Sequence, residues 1–283
     1  MTFDYNIKRM EKFINHHLGG LKNGDGVPPF SSIEFSINGA CNRRCKFCPR
    51  IDADSFPNDR NSISLELLKK IIDELVEHGF VGRISYSGFC EPLLTENLEE
   101  YIAYARKRSP ELTIEMVTNG DLLTKARMET LFEAGLNNIR VSLYDGPEQV
   151  MVRNRYLDAS ESYGLTINNR GGTLKLEDGD LSVVPLNEPL QQPCYFPFYK
   201  MLINYDGNVV VCSNDWLQCY VVGNIAQKTV YEVWKSDEFN QLRKKLIESN
   251  RHIGPCEKCD VNGTYNGEQH FKVWKEYYAK QHV

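Results

Sequence analysis

Apolar residues recur along the chain in two alternating patterns, one typical of short buried strands and one of amphipathic helices. The first unit pairs a strand at Ile33 to Ile37 with a helix that Ser64 caps and Gly79 ends. The alternation then continues with strands at Arg83 to Tyr86, Leu112 to Val117, Ile139 to Leu143 and Leu165 to Asn169, and helices after Thr95, from Thr124 to Ala134 and from about Pro147. Strands alternating with helices of this length predict right-handed crossovers and a parallel sheet, closed or partly closed into a barrel.

The pattern differs on both sides of this region. Before it, apolar residues at helical spacing predict a helix from Tyr5 to Leu18. After it, residues 172–192 lack a helical period and predict a linker, with one further strand around Leu181 to Val184. The remaining predicted elements are a hairpin of Lys200 to Tyr205 and Asn208 to Cys212 around Asp206-Gly207, a helix from Val230 to about Glu248, and a closing helix from Phe271 to Ala279.

These elements predict an α/β fold: a partial (β/α)6 TIM-type barrel with a small C-terminal domain of one β-hairpin plus a helix. We expect four parts along the chain. They are an N-terminal helix and loop (1–31), the barrel (32–185), the hairpin domain (186–267) and a C-terminal helix (268–283).

Composition and charge narrow the class of function. The 283 residues are 41% hydrophobic and 25% charged, with a formal net charge of −5. This mild acidity gives no electrostatic footprint for a nucleic acid or an anionic membrane. The first eighteen residues mix charged and apolar side chains, unlike a signal peptide, and no run approaches the roughly 18 apolar residues of a membrane span. We therefore expect a soluble, cytoplasmic protein.

Cysteine usage is the feature that points to chemistry. The chain has nine cysteines: Cys41, Cys45, Cys48, Cys90, Cys194, Cys212, Cys219, Cys256 and Cys259. An odd number in a chain of this size without an export signal argues against a disulfide framework and favours metal or redox use.

Three of these cysteines follow the first predicted strand as Cys41-x-x-x-Cys45-x-x-Cys48. Three thiolates in eight residues suit one face of a cubane iron–sulfur cluster, and they leave the fourth iron open to bind another ligand. A zinc site needs a fourth protein ligand at a standard spacing, and none follows within forty residues.

This motif resembles that of the radical S-adenosylmethionine (SAM) enzymes, CxxxCxxC with an aromatic residue before the last cysteine, and Phe47 fills that place. The resemblance implies a 4Fe-4S cluster on the three cysteines whose open iron binds SAM. It also implies reductive cleavage of SAM to a 5′-deoxyadenosyl radical, with flavodoxin or ferredoxin as a typical reductant.

Further stretches agree with the resemblance. Ser87, Gly88 and Glu91 belong to a turn similar to the family's glycine-rich SAM-binding motif, and Asn119 and Ser142 lie where the family contacts SAM. One position departs from the family pattern, because Cys90 stands where glycine is usual. We interpret Cys90 as a small packed side chain, with an active-site thiol as the alternative.

Four later cysteines form a second set, Cys194, Cys212, Cys256 and Cys259. Their arrangement suits a tetrahedral zinc site or a fully ligated 4Fe-4S cluster, and spacing does not separate the two. The segment resembles the SPASM/twitch extension of radical SAM enzymes, in the shorter form that holds one auxiliary 4Fe-4S cluster. Cys219 lies outside this pattern and is interpreted as a packed thiol, with extra ligand or hydrogen-atom donor as alternatives.

The resemblance, within this family, is greatest to an enzyme that oxidises a cyclitol. It implies hydrogen abstraction from a small polar substrate such as a sugar, cyclitol or nucleotide sugar, with the auxiliary cluster accepting an electron as an alcohol becomes a ketone. Arg170, at the end of the fifth strand, is then the candidate to polarise the hydroxyl, with a salt-bridged arginine at the barrel rim as the alternative. Tyr144 and Asp145 are weaker candidates, which a turn would also explain.

Three alternatives stay open at this stage. Radical epimerisation would use Cys90 or Cys219 to return a hydrogen atom. Modification of a ribosomal peptide is disfavoured because only about thirty residues, too few for a peptide-recognition domain, precede the first strand. A non-enzymatic electron carrier would leave the SAM-like elements without a purpose.

Overall fold

One mixed sheet of eight strands organises the part of the chain that the structure describes. The structure is a computed structural model that describes residues 26–144, the backbone of 165–169, and residues 186–281. The strands are β1 (Ser32–Ser36), β2 (Asn38–Gly39), β3 (Asp59–Ser62), β4 (Arg83–Tyr86), β5 (Thr113–Thr118), β6 (Asn138–Leu143), β7 (Leu165–Asn169), β8 (Lys200–Asn204), β9 (Asn208–Val210) and β10 (Val221–Asn224). Their order in the main sheet is β10-β9-β8-β1-β4-β5-β6-β7, and β2 and β3 form a separate pair.

The parallel half of this sheet confirms the predicted fold class. Strands β1, β4, β5, β6 and β7 are neighbours in chain order, and each adjacent pair is parallel. Their bounds lie within one residue of those predicted. The intervening helices are α1 (Leu65–Glu77), α2 (Leu98–Arg108) and α3 (Lys125–Glu133).

The helix ends show why these segments fold locally as predicted. The Ser64 hydroxyl accepts a hydrogen bond from the Leu67 amide at the start of α1, and Thr124 caps α3 in the same way. Beyond the ends of these helices, Gly79 and Gly135 have φ values of +69° and +109°, which favour glycine.

The two faces of the parallel sheet differ in chemistry. Ile33, Ile84 and Ile114 belong to one buried apolar cluster together with Leu68 and Ile72 of α1. The residues between them along the strands are polar and face the inside of the barrel, here called the lumen: Glu34, Arg83, Ser85, Glu115, Arg140 and Ser142. Because successive strand residues point to opposite faces, the strands supply an apolar core on one side and a polar lumen on the other.

The predicted hairpin is present, and it belongs to the same sheet as the barrel strands. Gly207 takes a φ of +86° in the turn between β8 and β9, which pair antiparallel. Strand β8 also pairs in parallel with β1, in a register that aligns Lys200 with Ser32. The hairpin therefore extends the barrel sheet, and its first strand is the sixth parallel strand described.

The predicted single helix from Val230 to Glu248 is wrong, because the segment forms two helices, α5 (Val230–Trp234) and α6 (Asp237–Ile247), which follow the short α4 (Phe196–Tyr199). Ser236 interrupts the segment with extended backbone angles, and its hydroxyl caps α6 by accepting from the Phe239 amide. The same hydroxyl donates to the carbonyl of Val222 on β10. This hydrogen bond to β10 therefore stabilises the interruption between α5 and α6.

The closing helix α7 (Glu268–Lys280) begins three residues before the predicted start. No helix in the described ranges is both long and apolar enough to span a membrane. The predicted N-terminal helix, the helix from Pro147 and the strand around Leu181 to Val184 lie outside the described residues.

Replacing Ser236 by alanine tests whether the two hydrogen bonds of its hydroxyl stabilise the fold. Ser236→Ala removes a helix cap and leaves the Val222 carbonyl without its side-chain donor, so we expect it to lower the free energy of unfolding by about 2 kcal/mol. Ser64→Ala, which removes only an exposed cap, is the matched control with an expected loss of about 1 kcal/mol. Urea unfolding measures both, and equal losses would contradict a special role for the break.

Candidate active site

The first three cysteines line a cleft of about 530 Å³ at the carboxyl ends of the barrel strands. The cleft brings together every residue predicted to bind SAM: Phe47, Ser87, Gly88, Glu91, Asn119 and Ser142. The sequence-predicted set thus converges on one cavity that also opens onto the lumen.

Arg50 holds the cysteine loop in place. Its buried guanidinium donates to the carbonyl of Phe89 at 3.0 and 2.8 Å, to the carbonyl of Gly39 at 2.9 Å, and to Asn58 Oδ1 at 3.0 Å. Asn58 in turn exchanges hydrogen bonds with the backbone of Cys41. One side chain therefore connects the cysteine loop, the glycine-rich turn and the end of β2.

A second set of contacts ties the loop to the end of β5. Asn42 donates to Asp121 at 2.9 Å, and Arg43 forms an ion pair with the same carboxylate. Asn119 donates to Asn42 Oδ1 at 2.8 Å and lies 3.9 Å from Cys41 Sγ. The predicted cluster loop and a predicted SAM-binding residue are thus in direct contact.

The glycine-rich turn shows how Cys90 fits at its unusual position. Gly88 has a φ of +81°, and a Cβ there would lie 3.1 Å from the Ser36 side chain. The Cys90 thiol borders the cleft and donates to the Ser87 carbonyl at 3.4 Å. Burial raises the pKa of Cys90 to about 12, so the thiol stays protonated at neutral pH.

Glu91 presents a buried carboxylate to the cleft. It accepts from Thr118 Oγ1 at 2.6 Å and from the amides of Asn119 at 2.8 Å and Leu93 at 3.1 Å. Burial raises the pKa of Glu91, and these hydrogen bonds offset only part of that effect. Such a group is suited to receive an ammonium group, which would stabilise its charged form.

Two buried polar atoms in the cleft fit a bound ligand. Among the described residues, neither the Ser142 hydroxyl nor Asn266 Oδ1 has a hydrogen-bond partner, although both atoms are shielded from solvent. Both residues line the cleft. Because an unsatisfied buried polar atom is costly, these atoms are suited to complete their hydrogen bonds with SAM or substrate.

The second set of four cysteines lines a smaller, adjoining cavity. Cys194 precedes α4, Cys212 follows β9, and Cys256 and Cys259 lie on the turn after α6. Gly263 packs so closely on Cys194 that a Cβ would lie 2.2 Å from its Sγ. The fold thus brings together four thiols that lie up to 65 residues apart in sequence.

The chemistry of this second set fits an iron–sulfur cluster. Four cysteine thiols line one cavity, and four thiols are the donor set that 4Fe-4S clusters use. Structural zinc sites use the same donor set, so the thiols alone do not distinguish the two.

Burial governs the ionisation of this second set. It raises the pKa of all four thiols, that of Cys212 to about 12. The positive charge of Arg251 acts in the opposite direction on Cys194, Cys256 and Cys259. Thiols of this kind lose their protons when they bind iron.

Arg251 also connects the backbone segments that carry these cysteines. Its fully buried guanidinium donates to the carbonyls of Gln192 at 3.0 Å, Pro193 at 3.0 Å and Val261 at 3.1 Å. These carbonyls come just before Cys194 and just after Cys259. Sequence reasoning missed Arg251, since nothing local marks an arginine whose partners are distant carbonyls.

The remaining predicted residues have different outcomes. Cys219 is exposed and lines neither cavity, while its backbone amide donates to Asp215. Arg170 and Asp145 lie outside the described residues. Tyr144 lines the cleft, where its ring packs 4.8 Å from that of Phe47.

Sequence reasoning also missed the charged residues of the lumen. Lys200 Nζ donates to Glu34 at 2.6 Å, and Ser87 Oγ donates to the same carboxylate at 2.9 Å. Burial alone would raise the pKa of Glu34, but the Lys200 charge and these hydrogen bonds lower it below its usual value. The alternation of polar and apolar residues within the strands was the available signal.

Replacing Arg251 tests its role in the second cysteine set. Arg251→Met leaves three carbonyls without donors and removes a positive charge beside the thiols, so we expect iron content after anaerobic reconstitution to fall by about half, the loss of one cluster of two. Arg127→Met, which removes an arginine that pairs with Glu99 on the outer helices, is the matched control with unchanged iron. Full iron content in Arg251→Met would contradict the assignment.

Comparison with known proteins agrees with this arrangement. The Radical SAM superfamily matches residues 35–167, and an iron–sulfur cluster-binding domain, SPASM, matches residues 194–260. The S-adenosyl-L-methionine-dependent 2-deoxy-scyllo-inosamine dehydrogenase of Niallia circulans is 30% identical over 254 residues, which cover 85% of this chain and 97% of that enzyme. A GTP 3′,8-cyclase of Aquifex aeolicus is 30% identical over 164 residues, which cover 56% of this chain and 50% of the length of that enzyme.

Solved structures give the same result for the fold. The crystal structure of BtrN in complex with AdoMet and 2-DOIA superposes with a TM-score of 0.69 at 29% identity, over 84% of this chain and 96% of that one. A structure of anSMEcpe with bound AdoMet and a peptide shares the fold alone, at a TM-score of 0.55 and 16% identity over 90% of this chain and 98% of that one. The chain belongs to the radical SAM superfamily and is an oxidoreductase of that superfamily, with a SAM-binding 4Fe-4S cluster and an auxiliary cluster as its cofactors.

Proposed function

We propose that the enzyme oxidises an alcohol carbon of a small polar molecule, such as a sugar, cyclitol or nucleotide sugar, to a ketone. The observation that carries this proposal is the common wall between the two cysteine cavities. Phe196 and Asn214 line both the cleft and the cavity of the second cysteine set. A substrate radical formed in the cleft would therefore lie one side chain away from an electron acceptor.

We assign the first cluster to Cys41, Cys45 and Cys48, and the auxiliary cluster to Cys194, Cys212, Cys256 and Cys259. When bound, SAM on the first cluster supplies a 5′-deoxyadenosyl radical that removes a hydrogen atom, and the auxiliary cluster supplies an acceptor for one electron. The atoms and electrons of this oxidation balance, because an alcohol that loses a hydrogen atom, a proton and an electron becomes a ketone. A one-electron reductant such as flavodoxin or ferredoxin is the partner that this chemistry needs.

The protein's own residues bind and orient the reactants. The Glu91 carboxylate receives the SAM ammonium group, while Ser87, Gly88, Asn119 and Ser142 line the same end of the cleft. Phe47 packs on Tyr144 and closes the cleft beside the cysteine loop.

Residues of the hairpin domain (186–267) form the proposed substrate side of the cleft. They are Lys200, Ser213, Asn214 and Asn266, of which Asn214 also lines the cavity of the second cysteine set. Glu34 lines the cleft as a carboxylate whose lowered pKa keeps it ionised, so it is suited to accept a hydrogen bond from a substrate hydroxyl and is a weak base. Arg170 remains a proposal drawn from the family resemblance, as the group that polarises the hydroxyl.

Similarity supports oxidation over the alternatives. The Niallia circulans relative, which this chain matches over 97% of its length, carries the name of a dehydrogenase of a cyclitol. Epimerisation has less support, because the exposed Cys219 lines neither cavity and the Cys90 thiol hydrogen-bonds the carbonyl of its own turn.

Cysteine variants test whether the first cluster cleaves SAM and the auxiliary cluster accepts the electron. On an alcohol that the wild type oxidises, we expect Cys212→Ala to form 5′-deoxyadenosine without ketone, since SAM cleavage needs only the first cluster. Cys48→Ala should form neither product, and Cys219→Ala should form both as the wild type does. Mass spectrometry of both products under anaerobic conditions with dithionite makes the measurement. Ketone formation by Cys212→Ala at the wild-type rate would rule out the auxiliary cluster as the acceptor.

A neutral isostere at position 91 tests the SAM site. Glu91→Gln keeps the shape but removes the charge that pairs with the SAM ammonium group, so we expect SAM to bind roughly 10- to 100-fold more weakly. Iron content should stay unchanged, and Glu111→Gln on the exposed surface is the control. Equilibrium binding of SAM to the reconstituted enzyme gives the result, and wild-type affinity in Glu91→Gln would contradict the assignment.

A further inference from the structure

A second cavity of about 270 Å³ lies beside the cleft and has no role in the proposed oxidation. It is here called the side pocket, and the residues around it include Phe56, Phe89, Asn204, Trp216 and Gln218. Phe89 and Trp216 also line the cleft. A molecule bound in the cleft could therefore extend past these two rings into the side pocket.

The wall between the two cavities is aromatic. Leu202, Phe89 and Val210 form a small apolar cluster apart from the main core, and Trp216 packs against it. The Trp216 ring centroid lies 4.8 Å from that of Phe89 and 5.9 Å from that of Phe56. The side pocket therefore offers the flat apolar surface against which a ring can stack.

A buried amide faces this aromatic wall. Asn204, at the end of β8, is only 3% exposed and lines the side pocket. No hydrogen bond to its carboxamide is made by any residue in the described ranges. A carboxamide can donate two hydrogen bonds and accept two, and a buried one normally makes several of them. Asn204 is therefore suited to bind a ligand that carries both donors and acceptors, as a polyol does.

The loop that carries Trp216 is fixed by its own hydrogen bonds. Asp215 is buried, and its carboxylate accepts from the amides of Cys219 at 2.9 Å and Tyr220 at 3.1 Å. The Gln218 amide donates to the Asp215 carbonyl at 3.0 Å. The side pocket is thus formed before a ligand arrives, which lowers the entropic cost of binding.

Charge in the side pocket argues against a phosphate group. Among the described residues that line it, Arg50 is the single cation. Its guanidinium already donates to the carbonyls of Gly39, Pro57 and Phe89 and to Asn58 Oδ1. The pocket thus presents amide groups and aromatic rings, without a cation that is available to a phosphate.

Strand β8 connects the proposed substrate side of the cleft with the side pocket. Lys200 lines the cleft, and Asn204 follows it by four residues on the same face of the strand. At about 3.3 Å per strand residue, the two positions are roughly 13 Å apart. This separation is close to the length of two linked sugar rings.

We infer that the substrate has two rings, as a glycoside of a sugar or cyclitol does, with the reacting ring in the cleft and the second ring in the side pocket. This inference rests on the proposed function, since it names the substrate class of the same site. The second ring stacks a C–H face on the aromatic wall and exchanges hydrogen bonds between its hydroxyls and Asn204. A one-ring substrate would leave the Asn204 carboxamide with water alone.

Matched ligands test the inference without turnover. Calorimetry measures binding to the reconstituted enzyme with SAM, without reductant, for D-glucose with maltose and cellobiose, D-glucosamine with chitobiose, and myo-inositol with galactinol. We expect at least one two-ring member to bind about tenfold or more tightly than its one-ring parent, as ring stacking and one or two hydrogen bonds would give. UDP-glucose is the phosphate-bearing comparison.

A variant at position 204 connects this preference to the side pocket. Asn204→Leu keeps the size of the side chain but removes its hydrogen-bonding groups, so the two-ring advantage should fall to about threefold or less. Its affinity for the one-ring members and its iron content should stay as in the wild type. Asn97→Leu is the matched control, because Asn97 is exposed, caps no amide with its side chain and lines neither cavity.

Three results would overturn the inference. They are equal binding of one-ring and two-ring members, including no binding by any of them, an undiminished two-ring advantage in Asn204→Leu, and a gain for UDP-glucose over D-glucose that exceeds that of every disaccharide.

The oxidation and the two-ring substrate fail in distinguishable ways. A two-ring preference that depends on Asn204, combined with no ketone on turnover, would leave the substrate class standing and reject the oxidation. Ketone formed from a one-ring alcohol that binds as tightly as its glycoside would do the reverse.

Discussion

The parallel pairing of β8 with β1 is the contact on which the arrangement of the two cysteine sets depends. It runs from Ser32 opposite Lys200 to Ser36 opposite Asn204. The partly buried ion pair of Lys200 with Glu34 crosses the same two strands at 2.6 Å. Because Cys194 lies shortly before β8 and Cys212 shortly after β9, this pairing sets the second cysteine cavity against the wall of the cleft. Without it, the hairpin would be a separate unit and the common wall of Phe196 and Asn214 would not form.

The polar lumen is a second consequence of how this sheet is built. A fully packed barrel would fill its interior with apolar side chains, whereas these strands place Glu34, Ser85 and Arg140 there. Burying such charges is costly unless they are paired, and Arg83 with Glu115 and Lys200 with Glu34 provide the pairing. The fold therefore maintains a charged interior that a purely structural core would not need. This charged interior is the physical reason for proposing that the substrate binds in the lumen.

Much of the fold followed from local signals in the sequence, because strand alternation and helix caps are local. Ser64 and Gly79 bound α1 as predicted, and the cysteine spacing identified the cleft before its geometry was known. The break at Ser236 was missed although Ser236-Asp-Glu is itself a helix-start signal, because the apolar spacing runs through it. Arg251 contacts the carbonyls of Gln192 and Pro193, and Lys200 contacts Glu34; these partners lie more than fifty residues away, and no local pattern reveals them.

We propose that the chain holds its two 4Fe-4S clusters on separate cysteine sets. Mössbauer spectroscopy with iron and sulfide analysis, after anaerobic reconstitution with iron-57, tests it most directly on the wild type and on the Cys41, Cys45 and Cys48 triple alanine variant. We expect about eight irons in the wild type and about four in the variant, all in 4Fe-4S clusters. About four irons in the wild type, with zinc on the second cysteine set, would contradict it and would remove the electron acceptor that the proposed oxidation requires.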